Sequence, residues 1–337
     1  MIDDNRLLDI RNLQVWYRVY GGYLKVLDGV NFHIDKGEKV GLVGETGCGK
    51  TTTMKAVLRV LPDRDTKIPG GEIRFQGEDI LKMSGPELQR VRSQGIAMIF
   101  QDPTAALNPV FTIGQQIGDV IRFSLASRKS RRLEKTTIKS TAMQALKEVS
   151  LPDQERMLGN YPIQLSGGMR QRVCISMAIT TPRQLLIADE PGTSLDVTIQ
   201  DQILRLLREL VEKRGTSIIL ITHSLGVARE MTDRIYVMYA GSMVEVAQSA
   251  DLFERPLHPY TLGLLGSVPK ITGGGITKGI PGRIPDYLHP PSGCRFHPRC
   301  PQVLPECSAE KPSFFDLGNG HQVACFLYKR AQCRRQS

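Results

Sequence analysis

A glycine-rich segment near the N-terminus has the residue types of a phosphate-binding loop. It fits the pattern G-x-x-x-x-G-K-[ST] and consists of Gly44, Glu45, Thr46, Gly47, Cys48, Gly49, Lys50 and Thr51, followed by Thr52. Glycines let backbone N–H groups approach phosphates, a lysine brings charge to the β- and γ-phosphates, and a threonine hydroxyl can ligate Mg²⁺. We therefore predict that this loop binds a nucleoside triphosphate, with Lys50 on the phosphates and Thr51 on the metal ion.

Two carboxylates stand side by side at the end of an apolar run. Residues 185–188 are typical of a buried strand, and Asp189 and Glu190 follow them directly. Beside a triphosphate, an aspartate can hold the metal ion while a glutamate orients and polarises the attacking water. The alternative is a strand with an acidic cap. With the phosphate loop upstream, the pair predicts hydrolysis, with Asp189 on Mg²⁺ and Glu190 as the base.

A third segment, residues 165–172, reads LSGGMRQR. Its serine and the two small residues after it can begin a helix whose N–H groups face an anion. With the two motifs above, the segment resembles the signature sequence of ATP-binding cassette (ABC) proteins. The resemblance implies that the nucleotide is ATP. It also implies that Ser166, Gly167 and Gly168 contact the γ-phosphate bound to a second subunit, in a head-to-tail dimer.

Single residues match other motifs of this family in the expected order. Gln101 resembles the Q-loop glutamine that touches Mg²⁺ and senses the membrane partner, and Asp196 resembles the D-loop aspartate. His223 resembles the switch histidine that contacts the γ-phosphate. The resemblance implies catalytic roles for Gln101 and His223 and places Asp196 at the nucleotide. An isolated glutamine or histidine is more often structural, so these assignments depend on the order and spacing of all the motifs.

An aromatic residue upstream of the phosphate loop is expected to stack on adenine. Tyr17 is the predicted contact, and its rivals are Trp16, Tyr20 and Tyr23. Three positions depart from the family pattern without removing a group that hydrolysis needs: Cys48 stands in place of Ser, Gly192 in place of Thr and Ser224 in place of Asp.

Three further stretches resemble the ATPases of oligopeptide and dipeptide importers. They are residues 101–109, 256–261 and 280–301. In such importers two ATPase subunits, most often different chains, pair beneath two permease subunits, and an extracytoplasmic binding protein delivers the peptide. The resemblance implies peptide uptake powered from the cytoplasmic face of a bacterial inner membrane. Import of nickel, glutathione or antimicrobial peptides is the alternative. Phe111 and Ile113 are predicted to line a groove for a helix of the membrane subunit.

The cysteines concentrate in a C-terminal segment that is rich in proline and glycine. The spacing C-x5-C-x6-C-x17-C lacks the Cys-x-x-Cys knuckles of structural zinc, whereas four thiolates, one of them followed by proline, suit an iron–sulfur cluster. The resemblance implies a [4Fe–4S] centre, with zinc or uncoordinated thiols as alternatives. The predicted ligands are Cys294, Cys300, Cys307 and Cys325, and Cys333 is not expected to bind. Because the nucleotide motifs all precede residue 224, we expect loss of Cys300 to leave ATP binding intact.

These motifs require an α/β core to position them. A chain of 337 residues suits one large domain and an appendage, so we predict an ABC-type nucleotide-binding domain over residues 1–255 and a loop-rich, cysteine-containing domain over 256–337. Alternating apolar residues predict an antiparallel β subdomain over residues 8–34, turning at Gly21 and Gly22. A helical subdomain is predicted over about residues 111–165.

Composition excludes some classes of protein. No apolar window approaches the ~18 residues of a spanning helix, and the first residues do not resemble a secretory leader, so we expect a peripheral protein. The net charge of +10 is of the sign that favours binding to nucleic acid, so nucleic acid is considered as a partner. The charges are spread along the chain, and neither a second cassette nor a long coiled coil is present, so we predict no nucleic acid. An iron–sulfur redox enzyme with a regulatory ATP site would need a substrate pocket, of which the sequence gives no sign.

Overall fold

The computed structural model describes residues 5–125, 134–267 and 279–329. The chain divides into two compact units. The first unit comprises Met1–Asp35, Lys39–Leu81 and Leu220–Ser337, and the second comprises Lys36–Glu38 and Lys82–Ile219. The C-terminal segment therefore packs in the same unit as the N-terminal strands and the phosphate-binding loop. The domain boundary at residue 255 stays a prediction, and Cys333 lies outside the described residues.

Two long strands open the chain, and the later strands are short. The strands are β1 (Arg6–Val19), β2 (Gly22–Asp35), β3 (Lys39–Val43), β4 (Thr66–Lys67), β5 (Glu72–Phe75), β6 (Glu78–Asp79), β7 (Ile96–Ile99), β8 (Leu185–Asp189), β9 (Ser217–Thr222), β10 (Arg234–Tyr239), β11 (Ser242–Gln248), β12 (Phe315–Asp316) and β13 (Gln322–Val323). The helices are α1 (Lys50–Val57), α2 (Gly85–Arg90), α3 (Pro103–Ala106), α4 (Ile113–Leu125), α5 (Lys135–Glu148), α6 (Gln154–Gly159), α7 (Gly167–Ile179), α8 (Val197–Arg214), α9 (Leu225–Met231), α10 (Ser249–Glu254), α11 (Pro259–Gly266) and α12 (Glu306–Ala309).

The first unit begins with an antiparallel sheet. Strand β1 pairs antiparallel with β2, β4 and β5, and β5 pairs with β6. Leu8 and Ile10 lie on one face of β1 and Leu7 and Asp9 on the other, and all four are buried, so both faces of the strand are covered at its start. The tight turn into β2 is made by Gly21 and Gly22, whose φ values of 91° and 147° favour glycine. The predicted antiparallel start is confirmed.

A second sheet of the first unit positions the phosphate-binding loop. Strand β3 pairs parallel with β10, which pairs antiparallel with β11. Strand β3 ends at Val43 and helix α1 begins at Lys50, so the loop lies between a buried strand and a helix, as predicted. The two-residue strands β13 and β12 extend the pairing from β11. The C-terminal segment thus adds two short strands to the edge of this sheet, beside β11.

The second unit combines a parallel strand pair with helices. Strands β7 and β8 pair parallel, and β8 is buried along its whole length, which is typical of a sheet covered on both faces. Helices α4, α5 and α6 occupy the region predicted to be helical. In α4, Ile113, Ile117 and Ile121 fall on one buried face at helical spacing. In the described part of the chain, no helix has the length and apolar character needed to cross a membrane.

Candidate functional site

The phosphate-binding loop has a backbone that only glycine permits at two positions. Gly44 has φ 153°, and a Cβ there would lie 2.1 Å from the carbonyl oxygen of Met238. Gly49 has φ 109°, and its Cβ would lie 2.7 Å from Leu27 Cδ2. At Gly44 the neighbour is the backbone of strand β10, which could not make way without moving the strand, whereas at Gly49 the neighbour is a side chain and the left-handed φ is what favours glycine. These glycines therefore let the loop fold closely against the core.

Lys50 is the first residue of α1, and its ammonium group is buried beneath the loop. The side chain is 5% exposed. Its Nζ donates hydrogen bonds to the carbonyl oxygens of Gly44, at 2.7 Å, and Glu45, at 3.1 Å. Both acceptors are neutral, so neither hydrogen bond pairs the ammonium with a negative charge. A buried cation of this kind favours an anion beside it, which is the role predicted for Lys50 on the phosphates.

Tyr17 lies beside the helix that follows the loop. Its hydroxyl donates to Thr52 Oγ1 at 3.4 Å. Two of its rivals, Trp16 and Tyr23, pack on each other with ring centroids 6.1 Å apart, and Tyr20 is fully exposed. Because adjacent side chains of a strand point to opposite faces, Trp16 points away from the Tyr17 face of β1. The arrangement favours Tyr17 as the adenine contact, and its role stays a prediction.

In the second unit, the structure brings Gln101 and Glu190 together. Gln101 Nε2 donates to Glu190 Oε2 at 3.1 Å, although the two residues are 89 positions apart. Asp189, at the end of β8, is 2% exposed and Glu190 is 9% exposed. Glu190 has φ 46°, in the left-handed region, and its carbonyl oxygen accepts hydrogen bonds from the N–H groups of Gly192 and Thr193. A tight turn therefore fixes the direction of the predicted base.

Helix α7 begins at the predicted signature segment. Ser166 is exposed and caps the helix, since its Oγ accepts from Met169 N at 3.3 Å. A Cβ at Gly168 would lie 2.9 Å from the Ile199 side chain of α8, so the close packing of α7 and α8 favours glycine there. Asp196 caps α8 by accepting from Ile199 N at 2.9 Å. The exposed N-terminus of α7 can meet an anion brought by another subunit.

His223 follows β9 in the first unit. Its side chain is exposed, and it precedes Ser224, which caps α9 by accepting from Val227 N at 3.5 Å. The turn is held further by a hydrogen bond from Ser224 N to Thr222 Oγ1 at 3.0 Å. Ser224, which stands where the family pattern has Asp, thus caps a helix, and His223 beside it stays accessible to a ligand.

One predicted contact residue is wrong. Ile113 is completely buried as the first residue of α4, so it belongs to the core and cannot line an open groove. The sequence showed it only as an apolar residue in a turn-rich segment, which did not reveal that Ile117 and Ile121 complete its helical face. Phe111 is 47% exposed and its neighbour Val110 is 70% exposed. The docking role of Phe111 stays a prediction.

The four predicted ligand cysteines lie in the first unit and are not paired in disulfides. The pKa of the Cys325 thiol is raised to about 11, chiefly by burial and also by the charges of the other three thiols. Burial also raises the pKa of the Cys294 and Cys300 thiols. The four groups therefore share one region. Within residues 5–125, 134–267 and 279–329, however, no group of three or more His, Cys, Asp or Glu is arranged to hold a metal ion.

Three residues that contact the loop were missed by sequence reasoning. Tyr260, Tyr287 and Arg299 lie far along the chain, and each makes a hydrogen bond to Glu45 or Gly47. The one available signal was Glu45 itself. An acidic side chain in a loop that must bind a polyanion calls for a cation nearby to neutralise it.

Comparison with known families agrees with these elements. The family model described as "ABC transporter" matches residues 27–193, which include the phosphate-binding loop, the signature helix and the two adjacent carboxylates. A second model, "Oligopeptide/dipeptide transporter, C-terminal region", matches residues 244–307. The two matches together include the phosphate-binding loop, Gln101, the signature segment, the carboxylate pair and most of the C-terminal segment, whereas Asp196 and His223 lie between them.

Several curated proteins are similar over nearly the full length of the chain. The probable peptide ABC transporter ATP-binding protein y4tR of Sinorhizobium fredii is 44% identical, covering 95% of this chain and 94% of its own length. The dipeptide transport ATP-binding protein DppD of Bacillus subtilis is 43% identical, covering 96% and 95%. The oligopeptide transport ATP-binding protein OppD of the same species is 42% identical, covering 97% and 90%.

A solved structure has the same fold over the cassette region. The ATP-binding cassette MJ0796, in a dimeric post-hydrolysis state bound to ADP and Pi, superposes with a TM-score of 0.64 at 26% identity, covering 72% of this chain and 99% of that one. The predicted α/β cassette fold is thereby confirmed, whereas a separate cysteine-containing C-terminal domain is not. By its motifs, its fold and its relatives, the chain belongs to the ABC transporter family as an ATP-hydrolysing, ATP-binding subunit with an oligopeptide/dipeptide-type C-terminal region.

Proposed function

We propose that this chain powers the import of dipeptides or oligopeptides across a bacterial inner membrane. The observation that carries the proposal is the C-terminal match over residues 244–307, which comes with relatives named for dipeptide and oligopeptide transport that cover nearly the whole chain. Import of nickel, glutathione or antimicrobial peptides is the alternative for the same machinery. The charge is spread and the matches are to transport proteins, so nucleic acid is not a proposed partner.

The proposed assembly has four membrane-associated subunits and a delivery protein. This chain pairs with a second ABC ATPase, which is a different chain, beneath two transmembrane permeases, and an extracytoplasmic peptide-binding protein supplies the cargo. The exposed N-terminus of α7 supports such pairing, because a helix end of this kind can face an anion that another subunit presents. The chain itself then lies at the cytoplasmic face of the membrane, held there by the permeases.

Each nucleotide residue has a proposed role. Thr51, Asp189 and Gln101 offer hydroxyl, carboxylate and amide oxygens, the hard donors that Mg²⁺ prefers, and they are the proposed ligands. When bound, Mg²⁺ neutralises charge on the β- and γ-phosphates. Lys50 binds the same phosphates, Glu190 accepts a proton from the attacking water, and His223 contacts the γ-phosphate. The remaining proposed contacts are Tyr17, Gly44, Glu45, Thr46, Gly47, Cys48, Gly49, Thr52, Ser166, Gly167, Gly168 and Asp196.

Peptide uptake in cells tests the proposed cargo. Removing the gene for this chain is expected to abolish uptake of labelled di- and tripeptides, and the wild-type gene is expected to restore it. A gene carrying Glu190→Gln should fail to restore uptake, because the cargo moves only with hydrolysis. Nickel and glutathione uptake measured in the same strains serve as matched controls. Loss of nickel or glutathione uptake with peptide uptake intact would contradict the proposed cargo.

We also propose that Cys294, Cys300, Cys307 and Cys325 hold an iron–sulfur cluster. A single zinc ion needs its thiolates within about 2.3 Å of one point, so that they nearly touch, whereas a cluster of several atoms needs them spread around a larger centre. The support for the cluster is that the cysteines lie in one region: Cys294 N donates to the carbonyl oxygen of Cys307 at 2.8 Å, and the charges of Cys294, Cys300 and Cys307 act on the Cys325 thiol. The segment has few long elements of its own, so a bound centre would also stabilise its folding.

Replacing one proposed ligand tests the cluster. In anaerobically purified Cys300→Ser protein, iron and acid-labile sulfide are expected to fall from near-stoichiometric to a small fraction, and the tail is expected to become sensitive to proteolysis. Cys174→Ser is the matched control, since Cys174 lies on α7 in the second unit. One zinc per chain and no sulfide in the wild-type protein would refute the iron–sulfur proposal and leave a structural zinc in its place.

A further inference from the structure

Three side chains of the C-terminal segment contact the phosphate-binding loop directly. Tyr260 Oη accepts a hydrogen bond from Glu45 N at 2.9 Å, and Tyr287 Oη donates one to the carbonyl oxygen of Gly47 at 2.8 Å. Arg299 donates to both carboxylate oxygens of Glu45, at 3.0 Å through Nη1 and 3.3 Å through Nη2. All of these residues belong to the first unit. The loop is therefore supported from a segment that follows all the nucleotide motifs.

The ion pair between Arg299 and Glu45 is well defined and largely removed from water. The Arg299 side chain is 7% exposed and that of Glu45 is 25% exposed. Arg299 also donates to the carbonyl oxygens of Ile280 and Pro281, so its planar guanidinium is held in one orientation. Because Arg299 binds both carboxylate oxygens of Glu45 and two carbonyl oxygens besides, the position of the Glu45 side chain is fixed. Loss of either partner would leave the charge of the other poorly solvated.

Glu45 connects this ion pair to the phosphate-binding lysine. Its N–H is held by Tyr260, its carboxylate is held by Arg299, and its carbonyl oxygen accepts from Lys50 Nζ at 3.1 Å. The carbonyl oxygen also accepts from Cys48 N at 3.2 Å, which closes the loop on itself. A shift of Glu45 would therefore move an acceptor of the ammonium that must meet the phosphates.

The support behind the loop is rigid. Tyr260 and Phe296 are buried, and both rings pack on Tyr239 of β10, at centroid distances of 4.7 Å and 5.0 Å. Burial raises the pKa of the Tyr260 hydroxyl far above its usual range, so it stays neutral. Arg299 ends a short turn that lies between Cys294 and Cys300. Tyr260 is therefore held in place by its packing with Tyr239 and Phe296, and Arg299 is held by the turn between the two cysteines.

We infer that Arg299 is a positioning residue for the phosphate-binding loop, so that the C-terminal segment sets the affinity of the protein for MgATP. Arg299 acts through Glu45 and does not itself touch the nucleotide. The inference depends on ATP binding, not on the proposed peptide cargo or iron–sulfur cluster. It differs from the expectation in the sequence analysis that a change in the C-terminal segment, such as loss of Cys300, leaves ATP binding intact.

The test is the affinity of the full-length chain for MgATP. In Arg299→Gln, we expect the Kd to rise about tenfold, as the loss of one charge-assisted interaction corresponds to about that factor. The KM for ATP should rise with it, while kcat at saturating ATP should change less than about threefold, because the base and the metal ligands are untouched. A double-mutant cycle with Glu45→Gln should show strong coupling, with the double variant no weaker than the worse single variant.

Lys329→Gln is the matched control. Lys329 also lies in the C-terminal segment and forms an ion pair, with Glu306 at 3.3 Å, but its partner is not a residue of the loop. Its Kd for MgATP should be unchanged. A Kd within twofold of wild type for Arg299→Gln, or an equal loss in Lys329→Gln, would overturn the inference.

A second measurement needs no variant. Because coupling between two sites is reciprocal, MgATP binding to the wild-type chain should slow amide hydrogen exchange in the segment around Arg299, residues 294–307. The exchange of α5, in the second unit, provides the reference within the same sample. Exchange in residues 294–307 that does not respond to saturating MgATP would contradict the inference even if Arg299→Gln proved too unstable to purify.

Discussion

Glu190→Gln is expected to hydrolyse MgATP at least ~100-fold more slowly than wild type while binding it with similar affinity. The amide has the size of the carboxylate, so the turn at φ 46° and the contact with Gln101 can both persist. What the amide cannot do is accept a proton from water, and general-base catalysis of this kind contributes a factor of about 100 to 10,000. Steady-state phosphate release per site, at saturating MgATP, measures the effect.

Glu209→Gln is a suitable control for this prediction. Glu209 is an exposed glutamate on α8 in the same unit, and the substitution removes the same charge at a distance from the carboxylate pair. Its turnover should stay within twofold of wild type. If Glu190→Gln also stayed within a few-fold of wild type, Glu190 would not be the base, and another group would have to polarise the water.

Local motifs could be predicted from sequence because their chemistry is contiguous. The phosphate-binding loop is a contiguous run of glycines and a lysine, and that lysine begins the helix, so the pattern could be recognised although the neighbours that exclude a side chain at Gly44 and Gly49 lie elsewhere in the chain. Strand β8 and the carboxylate pair at its end could be predicted for the same reason, because these residues are consecutive in the sequence. The N-terminal strands were equally accessible, since alternation along a strand is a property of neighbouring residues.

Long-range contacts left no such pattern. Arg299 and Glu45 are 254 residues apart, and neither the spacing nor the composition around them indicates that they meet. The contact between Gln101 and Glu190 was not predicted either, because it also joins separate elements; the resemblance to a family gave each residue its own role at the nucleotide. Ile113 was misassigned for a related reason. Its burial depends on the helix that it begins, whereas the sequence around it shows turn residues on the N-terminal side.

The C-terminal segment was the hardest part to interpret. Its short strands and turns have no strong periodicity, which led to the prediction of a separate unit stabilised by its cysteines. In the structure its strand β13 pairs with β11 of the core, and Phe296 packs in the same cluster as Tyr239. Both interactions depend on core residues far away in the chain. A loop-rich composition therefore did not distinguish a separate domain from a segment folded onto the core.

Lys50→Ala is expected to lose MgATP binding by at least ~100-fold. The ammonium is buried with neutral carbonyl acceptors, so a bound triphosphate would supply it with a counter-charge, and loss of about 3 kcal/mol corresponds to that factor. The alanine variant also loses the two hydrogen bonds that brace the loop, at Gly44 and Glu45. Titration calorimetry with MgATP measures the affinity, and thermal unfolding without nucleotide reports whether the loop has been disturbed.

Two further variants separate charge from loop geometry in this experiment. Lys50→Met keeps most of the side-chain length but removes the charge, so it should lose affinity as Lys50→Ala does if the phosphate contact dominates. Lys55→Ala removes a lysine from the last turn of the same helix and should bind MgATP normally. Undiminished affinity in Lys50→Ala would refute the assigned role. Full affinity in Lys50→Met with loss in Lys50→Ala would instead show that Lys50 acts by filling space beneath the loop, because an uncharged chain of similar length would then be sufficient.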